Sequence, residues 1–452
     1  MSKTIKLKKG YDIKLVGDVS ANTGSFDTPK TYSVKPTDFV GLSPKLKVEI
    51  GAEVKAGTPL FFIKEMPEIM ITSPVSGEVI EINRGAKRAI LEIKILADSK
   101  MAYEQFAMGN PGHMDAAIVK QTLLNSGAWA TIKQRPFTKI ANPAETPKSI
   151  FISGFDSSPL APDYNYILNG RDEDFQWGIN ALIMLTSGKK IYLNLKDGVK
   201  ACSAFANAKG VEINSFSGPH PAGNVGVQIH HISPISKGDI VWTVNPEDVA
   251  NIGKLFKEGK YEADRTVALT GSEANESARK YYKVKAGACV ETLLNNNLSA
   301  GKNRIISGNV LTGTKIAANG YLGFYDHQIT VIPEGENPEF LGWLIPTYSR
   351  PSISKTFLSY LTPNKKFKVN TNMHGEERAL VVTGEYEKVL PMDILPQYLL
   401  KAILANDLEA MEALGLLELD EEDMALCEFV CTSKMPIQKL IREGLAVLEK
   451  EG

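Results

Sequence analysis

The sequence is short of cysteine and of net charge. Its four cysteines, at positions 202, 289, 427 and 431, are too few and too scattered through 452 residues for a disulfide framework, and they are typical of a reducing compartment. Lysine and arginine number 51 against 52 for aspartate and glutamate, so the chain has no surplus of positive charge to release counterions from a phosphate backbone. Nucleic acid is therefore not expected as a partner.

Long apolar runs are missing as well. No stretch approaches the roughly 20 apolar residues that a membrane-spanning helix needs. The start, MSKTIKLKKG, passes directly into alternating residues without the apolar core of a signal peptide. We expect a cytoplasmic protein that meets a membrane only through partner proteins.

The usual nucleotide-binding loops are also absent. After the first strand of a predicted parallel sheet, the turn SGFDSSPLAPD has a single glycine, Gly154, where a GxGxxG fingerprint would have three. The motif GxxxxGK[ST] does not occur, and TGSEANESAR offers only Gly271. Binding of NAD or flavin by this chain is therefore not expected.

The cysteine string CEFVC lacks the partners that an iron–sulfur cluster needs. It supplies Cys427 and Cys431, whereas a four-iron cluster takes four thiolates and the other cysteines lie in distant parts of the sequence. Two cysteines four positions apart on a helix are more often packing residues. The acidic run ELDEED, residues 418–423, precedes this helix, and we interpret it as a solvated first turn compatible with the helix dipole.

Three of the six histidines lie in FSGPHPAGNVGVQIHHI, residues 216–232. We predict that VGVQIHHI is a strand, in which His230 and His231 point to opposite faces and cannot converge on one metal ion. The glycines and prolines around His220 indicate instead a tight turn that approaches another group closely. No metal site is expected.

What the sequence does contain predicts a multidomain α/β protein. Alternating residues and glycine-rich turns predict a β-rich region. Later, the predicted strands KSIFISGF, KKIYLNL and VEINSF alternate with the predicted helices DEDFQWGINALIMLTSG, which ends at Gly188, and GVKACSAFANAKG, and a further helix has Pro246 in its first turn, as in a doubly wound parallel sheet. A shorter strand and helix pattern suits a β-grasp unit, and the end is helical throughout. The predicted boundaries are 1–103 for the β-rich region, 104–258 for the Rossmann-like domain, 259–335 for the β-grasp domain, 336–390 for a connecting β or linker region, and 391–452 for the helical domain.

The β-rich region resembles the barrel-sandwich module of biotinyl and lipoyl carrier domains over residues 48–90. In those carriers the modified lysine lies eight residues before the proline of an AP or SP pair. Counting back from Pro74 leads to Met66, and Lys64 is two residues away. We therefore expect a carrier-like docking module without a covalently attached cofactor.

Long strings throughout the chain resemble the A subunits of bacterial sodium-translocating NADH:quinone reductases. The strings lie between residue 135 and the last fifty residues, and we take the resemblance to cover essentially the whole chain. The matching strings are RPFTKI, FSGPHPAG, VWTVNPEDVANIGKLF, NRIISG, YLGFYDHQITVIPEG, MDILP and LGLLELDEEDMALCEFVC.

The resemblance implies a six-subunit membrane complex that oxidises NADH, reduces a quinone and exports sodium. The A subunit is then a peripheral component on the cytoplasmic side of the bacterial inner membrane, held by the B to F subunits and above all by the membrane-embedded B subunit. It would carry no flavin or cluster and no complete active site of its own, and its helical domain would resemble an iron–sulfur domain that lacks its cluster. It would bind quinone or stabilise the neighbour that does.

A quinone pocket needs an apolar wall and donors to the carbonyl oxygens. FSGPHPAG offers Phe216 and His220, and WATIKQRPF offers Trp129, Arg135 and Phe137. The alternative is that the aromatic residues belong to the core, that Arg135 is a surface ion-pair partner, and that the turn only contacts another protein of the complex. An independent NAD or flavin oxidoreductase and a biotin or lipoate carrier are the remaining functional classes.

Overall fold

The computed structural model describes residues 3–336, 340–341 and 347–452. Within these ranges, none of the helices is long and apolar enough to cross a membrane.

The strands, in chain order, are β1 (Thr4–Lys6), β2 (Thr31–Val34), β3 (Pro44–Leu46), β4 (Glu53–Val54), β5 (Pro59–Ile63), β6 (Met66–Thr72), β7 (Gly77–Arg84), β8 (Ile90–Ala97), β9 (Lys133–Arg135), β10 (Lys139–Ile140), β11 (Ser149–Ser153), β12 (Lys190–Lys196), β13 (Glu212–Ser217), β14 (Val241–Thr243), β15 (Asp264–Thr270), β16 (Tyr281–Lys285), β17 (Asn303–Ser307), β18 (Thr314–Ile316) and β19 (Gln328–Pro333).

Helices cover the central sheet and make up the C-terminal part of the chain. They are α1 (Ala116–Ser126), α2 (Tyr164–Ile167), α3 (Asp172–Leu185), α4 (Ser203–Ala206), α5 (Val225–Ile232), α6 (Pro246–Glu258), α7 (Glu291–Leu294), α8 (Tyr386–Val389), α9 (Pro396–Ala405), α10 (Leu408–Ala413), α11 (Glu421–Val430) and α12 (Ile437–Glu451).

The central sheet has seven strands in the order β1-β13-β12-β11-β14-β9-β10. Strands β1, β13, β12, β11 and β14 run parallel, and β9 and β10 add an antiparallel edge. The chain passes outward from β11 to β12 and β13, then returns to the other side of β11 to form β14. This reversal of strand order opens a crevice between the carboxyl ends of β11 and β14, where open α/β sheets usually bind their ligands.

Helices α3 and α6 pack against each other on one face of this sheet. A Cβ added at Gly253 would lie 1.7 Å from the carbonyl oxygen of Asp174, and one at Gly178 would lie 1.9 Å from that of Val249. The two backbones therefore touch at a crossing that only glycine permits. At the start of α6 the Asn245 side chain accepts a hydrogen bond from the N–H of Glu247, which fixes the helix directly after β14.

The N-terminal module is built from two small sheets, with strand orders β2-β8-β7-β4 and β3-β5-β6. Their facing sides bury Leu60, Phe61, Ile69 and Ile93 completely. Ile63 pairs with Met66, so the exposed Lys64 lies in the turn between β5 and β6. The count along the sequence put Met66 at the carrier position, whereas the fold puts a lysine at the hairpin tip. That this lysine carries no cofactor stays a prediction.

The next unit is a mixed five-stranded sheet in the order β16-β15-β19-β17-β18 with the short helix α7. Of the predicted connecting region, residues 337–339 and 342–346 lie outside the described part of the chain. Phe367 in this region forms a β-bridge with Leu15. The helical domain shares one hydrophobic core with Phe216 of β13 and Val227 of α5, so the helical and central domains are packed together rather than tethered.

The prediction of a strand over residues 225–232 was wrong, because this segment is helix α5. The apolar side chains fit two patterns. Alternation at 225, 227 and 229 suggested a strand, but the spacing of Val225, Ile229 and Ile232 is that of a helix. The segment also joins the parallel strands β13 and β14, a connection that favours a helical crossover. Two predicted helices are shorter than expected: GVKACSAFANAKG holds only α4, and α3 ends at Leu185 instead of at Gly188.

Candidate functional site

A cavity of about 200 Å³ occupies the crevice between the carboxyl ends of β11 and β14. Three parts of the chain line it: the central sheet and its loops, the unit of the five-stranded sheet, and the helical domain. Among its wall residues are Phe155, Asp156, Tyr164, His220, Asn224, Val244, Asp248, Leu311, Tyr325, Asp420 and Glu422. The cavity is smaller than the roughly 300–1,000 Å³ typical of drug-sized ligands and suits a single small ring.

His220 is held at this wall by contacts to its backbone and to one ring nitrogen. Its N–H donates to the Asp12 carboxylate at 2.8 Å, and its carbonyl accepts from the N–H of Tyr11 at 2.8 Å. Nδ1 lies 3.0 Å from the hydroxyl oxygen of Ser157. The N-terminal segment and the loop after β11 thus fix one residue from opposite sides.

The other ring nitrogen of His220, Nε2, is buried and has no hydrogen-bond partner among the described residues. The residue is 3% exposed. Desolvation lowers the pKa of His220, and the nearby carboxylate of Asp156 offsets only part of this effect, so the imidazole is neutral at neutral pH. A buried polar atom without a partner costs free energy, which is expected where a ligand completes the hydrogen bond.

A buried chain of amide side chains supports the loop that carries His220. Gln228 of α5 donates to the hydroxyl of Ser153 at 2.8 Å and accepts from Asn194 at 3.0 Å, and Asn194 accepts from Asn214 at 3.1 Å. Ser153 in turn lies 3.0 Å from the carbonyl oxygen of Gly223. Because these groups are satisfied inside the sheet, the loop has a defined position beside the cavity.

Arg135 also lines the cavity, but carboxylates of the helical domain already pair with its guanidinium. Nη1 lies 2.7 Å from Asp423, Nη2 lies 2.8 Å from Glu422, and Asp420 is 3.8 Å away. Burial alone would lower the pKa of Arg135, and the carboxylates of Asp423 and Asp420 more than reverse this, so it stays charged. Arg442 binds Asp420 and Glu421 from the other side.

The acidic run is therefore not the solvated turn that the sequence indicated. Asp423 is 1% exposed and Asp420 is 6% exposed. The two residues form a capping box at the start of α11, because the Asp423 side chain accepts from the N–H of Asp420 at 3.0 Å. The same carboxylates that begin the helix attach it to the central sheet.

Of the five residues proposed from the sequence, His220 and Arg135 line the cavity and the three aromatic residues do not. Trp129 is fully buried, packs edge-on against Trp242 and donates from its indole to the carbonyl of Ala141. Phe216 is fully buried in the core shared with the helical domain, and Phe137 packs at the edge of that core. The apolar wall comes instead from other residues, namely Phe155, Tyr164, Val244, Leu311 and Tyr325.

The charges around the cavity do not favour a phosphate. Asp156, Asp248, Asp420 and Glu422 face two cations, Lys133 and Arg135. The ammonium of Lys133 lies 3.8 Å from the ring centre of Tyr325. No glycine-rich turn leads from β11 into a helix, since α2 begins only at Tyr164. The guanidinium of Arg135 is already paired with Glu422 and Asp423, so a nucleotide phosphate at this crevice would find little positive charge beyond Lys133.

The remaining histidine and cysteine candidates hold the helical domain together. His230 Nδ1 lies 2.9 Å from Glu418, and its Nε2 accepts from the N–H of Asp393 at 3.1 Å. His231 donates to the carbonyl of Pro391 at 2.8 Å.

Cys427 and Cys431 are fully buried, and desolvation raises the pKa of the Cys427 thiol. Within the described ranges, no group of three or more histidine, cysteine, aspartate or glutamate side chains has the geometry of a metal site.

Sequence reasoning missed Ser157 and Asp12, whose side chains contact His220. They lie 63 and 208 positions away from it, so spacing along the chain gives no signal. Ser157 had one indirect signal, because it follows a predicted parallel strand, and the carboxyl ends of such strands carry ligand-binding loops.

Three family models match the chain. They are the NqrA N-terminal barrel-sandwich hybrid domain over residues 5–98, the NqrA second alpha/beta domain over 114–261 and the NQRA C-terminal domain over 266–318. The predicted fold class, with its barrel-sandwich module and α/β domain, is confirmed by these matches.

Among solved structures, the NAD+-reducing NiFe hydrogenase in its H2-reduced state matches with a TM-score of 0.36 and 12% identity over 52% of each chain. The air-oxidized state of such a hydrogenase gives a TM-score of 0.39 at 10% identity over 75% of this chain and 62% of that one. Likenesses this weak carry no argument about fold or function.

Curated relatives match at full length. The A subunit of a Na(+)-translocating NADH-quinone reductase from Yersinia pestis bv. Antiqua (strain Angola) is 40% identical over 451 residues, which is 99% of this chain and 100% of the relative. Proteins of the same name from Vibrio atlanticus (strain LGP32) and Vibrio anguillarum are 36% and 37% identical with the same coverage. Identity of this level over every domain, together with three matching family models, identifies the chain as a member of the family of Na+-translocating NADH-quinone reductase A subunits.

Proposed function

We propose that this chain binds the head group of a quinone in the cavity between β11 and β14, as the A subunit of a sodium-exporting NADH:quinone reductase. The observation that carries the ligand proposal is the Nε2 atom of His220, which is buried and unpartnered within the described structure at a residue lining the cavity. A quinone head group is uncharged, is one ring in size and presents carbonyl oxygens that accept hydrogen bonds. Each property suits this cavity.

The electrostatics support an uncharged ligand over a charged cofactor. Arg135 at the wall is already paired with carboxylates, and no glycine-rich turn after β11 offers backbone N–H groups, so the cavity has little to bind NAD or flavin phosphates, which speaks against an independent oxidoreductase. Phe155, Tyr164 and Tyr325 offer apolar and aromatic surface to a ring. Reduction of the quinone would require electrons from other proteins of the assembly, since we expect no flavin or cluster in this chain.

His220→Ala is expected to weaken binding of a quinone analogue by the purified chain about threefold to tenfold. The reason is the loss of one neutral hydrogen bond, worth roughly 0.5–1.5 kcal/mol. Fluorescence titration or calorimetry with a water-soluble short-chain ubiquinone measures the effect. The matched control is His113→Ala, which changes an exposed histidine in the turn Pro111–His113 and should leave the affinity unchanged. Equal affinity in a folded His220→Ala protein would contradict a quinone site at this residue.

The assembly part of the proposal places the chain on the cytoplasmic side of the bacterial inner membrane, attached through the B to F subunits and most directly through the membrane-embedded B subunit. The full-length relationship to curated A subunits supports it. In cells that express the chain alone, we expect it in the supernatant after membranes are sedimented, and in the membrane fraction when the other five subunits of the complex are co-expressed. Membrane recovery in the absence of all of them would refute attachment through partners.

A further inference from the structure

We propose that Ser157 is a positioning residue that holds His220 as a hydrogen-bond donor, so that the cavity selects the oxidised form of its ligand. This inference rests on the proposed quinone function for the identity of the ligand. The protonation state of the imidazole is argued separately, from the contacts among Ser157, His220 and Gly223, and does not depend on the ligand.

The hydroxyl of Ser157 makes two contacts with defined directions. Its oxygen accepts from the N–H of Gly223 at 2.8 Å, and it lies 3.0 Å from Nδ1 of His220. A backbone N–H can only donate, so the first contact uses a lone pair of the hydroxyl. A second lone pair of the hydroxyl could accept from Nδ1, but the hydroxyl hydrogen would then have no acceptor among its described contacts. We therefore assign this hydrogen to the bond from the Ser157 hydroxyl to Nδ1.

An Nδ1 atom that accepts fixes the tautomer of the ring. In a neutral imidazole one nitrogen carries the hydrogen and the other accepts, so the hydrogen of His220 lies on Nε2. Burial keeps the ring neutral, and contacts from Tyr11 and Asp12 fix the backbone on both sides. The result is a single N–H donor of fixed orientation at a residue that lines the cavity.

A fixed donor favours a ligand oxygen that accepts without having to donate. A quinone carbonyl meets this condition, whereas a hydroquinone hydroxyl is the weaker acceptor and brings a hydrogen that needs its own partner in a buried site. Ser157 thereby contributes to the preference of the cavity for the oxidised ligand over the reduced one. We expect it to act through His220 and not by direct contact with the ligand.

The neighbouring Ser158 provides a matched control. Its backbone N–H donates to Asp156 at 2.7 Å, but within the described structure its hydroxyl has no hydrogen-bond partner. Ser158→Ala therefore removes a hydroxyl from the same loop without changing any contact to the ring. Ser157→Thr keeps the hydroxyl and should keep its effect.

The first measurement needs no ligand. With the full chain labelled with nitrogen-15 at histidine, NMR spectra that correlate ring nitrogens with carbon-bound protons report which nitrogen of His220 is protonated, and the signal that disappears in His220→Ala identifies it. We expect protonation at Nε2 in the wild type, in Ser158→Ala and in Ser157→Thr, and a mixture of tautomers in Ser157→Ala. Protonation at Nδ1 in the wild type, or an unchanged pattern in Ser157→Ala, would overturn the proposal.

The second measurement compares the affinities of a short-chain ubiquinone and its hydroquinone, the latter kept reduced under argon. We expect Ser157→Ala to weaken quinone binding about threefold to tenfold while changing hydroquinone binding less, so that the ratio of the two affinities falls. A general loss of structure would weaken both forms equally, and that result would overturn the selection. If neither form binds the wild type, the quinone function fails, and the ligand-free NMR result shows separately whether Ser157 sets the tautomer.

Discussion

Replacing Arg135 with methionine is expected to loosen the C-terminal helical domain by about 3–5 kcal/mol, because it leaves buried carboxylates without their cation. The side chain of Arg135 is 2% exposed and that of Asp423, its nearest partner, is 0% exposed. Methionine fills a similar volume, so the loss is electrostatic rather than steric. Asp423 must then either stay charged without compensation or take up a proton, which weakens the hydrogen bond that it accepts from the N–H of Asp420 at the start of α11.

Hydrogen exchange of the backbone amides in α11 and α12 measures this loss directly, which suits a multidomain chain whose unfolding need not be two-state. A cost of this size corresponds to exchange that is faster by roughly two to four orders of magnitude. Lys139→Met is the matched control, because Lys139 joins the same sheet edge to Glu449 of α12 at a site where both side chains are about one-third exposed. Such pairs contribute about 0–1 kcal/mol. Similar exchange in both variants would show that the buried cluster does not hold the domain.

Gly253→Ala is expected to be the most damaging single-methyl change in the central domain. The added Cβ would lie 1.7 Å from the carbonyl oxygen of Asp174 and 2.7 Å from the nitrogen of Gly178, and both are backbone atoms that cannot rotate away. Helices α3 and α6 would have to separate, at a cost of about 3 kcal/mol or more. The better helix propensity of alanine offsets only about 1 kcal/mol of this loss of stability.

The yield of folded chain and its thermal midpoint report this effect. Gly444→Ala is the comparison, since this glycine also lies inside a helix, but its nearest neighbours are side-chain atoms of Ile403 and Leu416 at 3.0 Å. Those side chains can adjust, so we expect a change within about 1 kcal/mol in either direction. A Gly253→Ala protein as stable as the Gly444→Ala protein would mean that the two helices are free to separate.

Sequence periodicity predicted the inner strands of the central sheet, because each lies in a short segment rich in apolar residues and followed by a turn. It did not predict the edge strands β1, β9 and β10, which read TIK, KQR and KI. The residues of KSIFISGF, KKIYLNL and VEINSF form β11, β12 and β13 close to their expected places. Helix α6 also begins at Pro246, as the sequence indicated. The failure at α5 has a physical cause, since an eight-residue apolar segment satisfies both periodicities until its tertiary connection is known.

The candidate site was predictable only in part. His220 stands out in the sequence because prolines flank it on both sides, but nothing nearby predicts its contacts with Ser157 and Asp12. Arg135 gave no sign that it would meet Asp423, 288 positions later. The aromatic residues were misleading, because side chains such as Trp129 and Phe216 occur both in hydrophobic cores and in ligand pockets. Which of the two applies depends on the whole fold and is not visible in the local sequence.

Strand β1 sets an order for biosynthesis. Thr4–Lys6 leaves the ribosome well before its hydrogen-bond partner, Ser215–Ser217 of β13, and the entire N-terminal module is synthesised in between. At about 5–20 residues per second, the strand waits roughly 10–40 seconds for its neighbour. The barrel-sandwich module can fold during that interval, while the central domain stays one edge strand short. A fragment cut after residue 103 would therefore take a piece of the central domain with it, and a gene fragment starting at residue 104 would encode a sheet with an unprotected edge at β13.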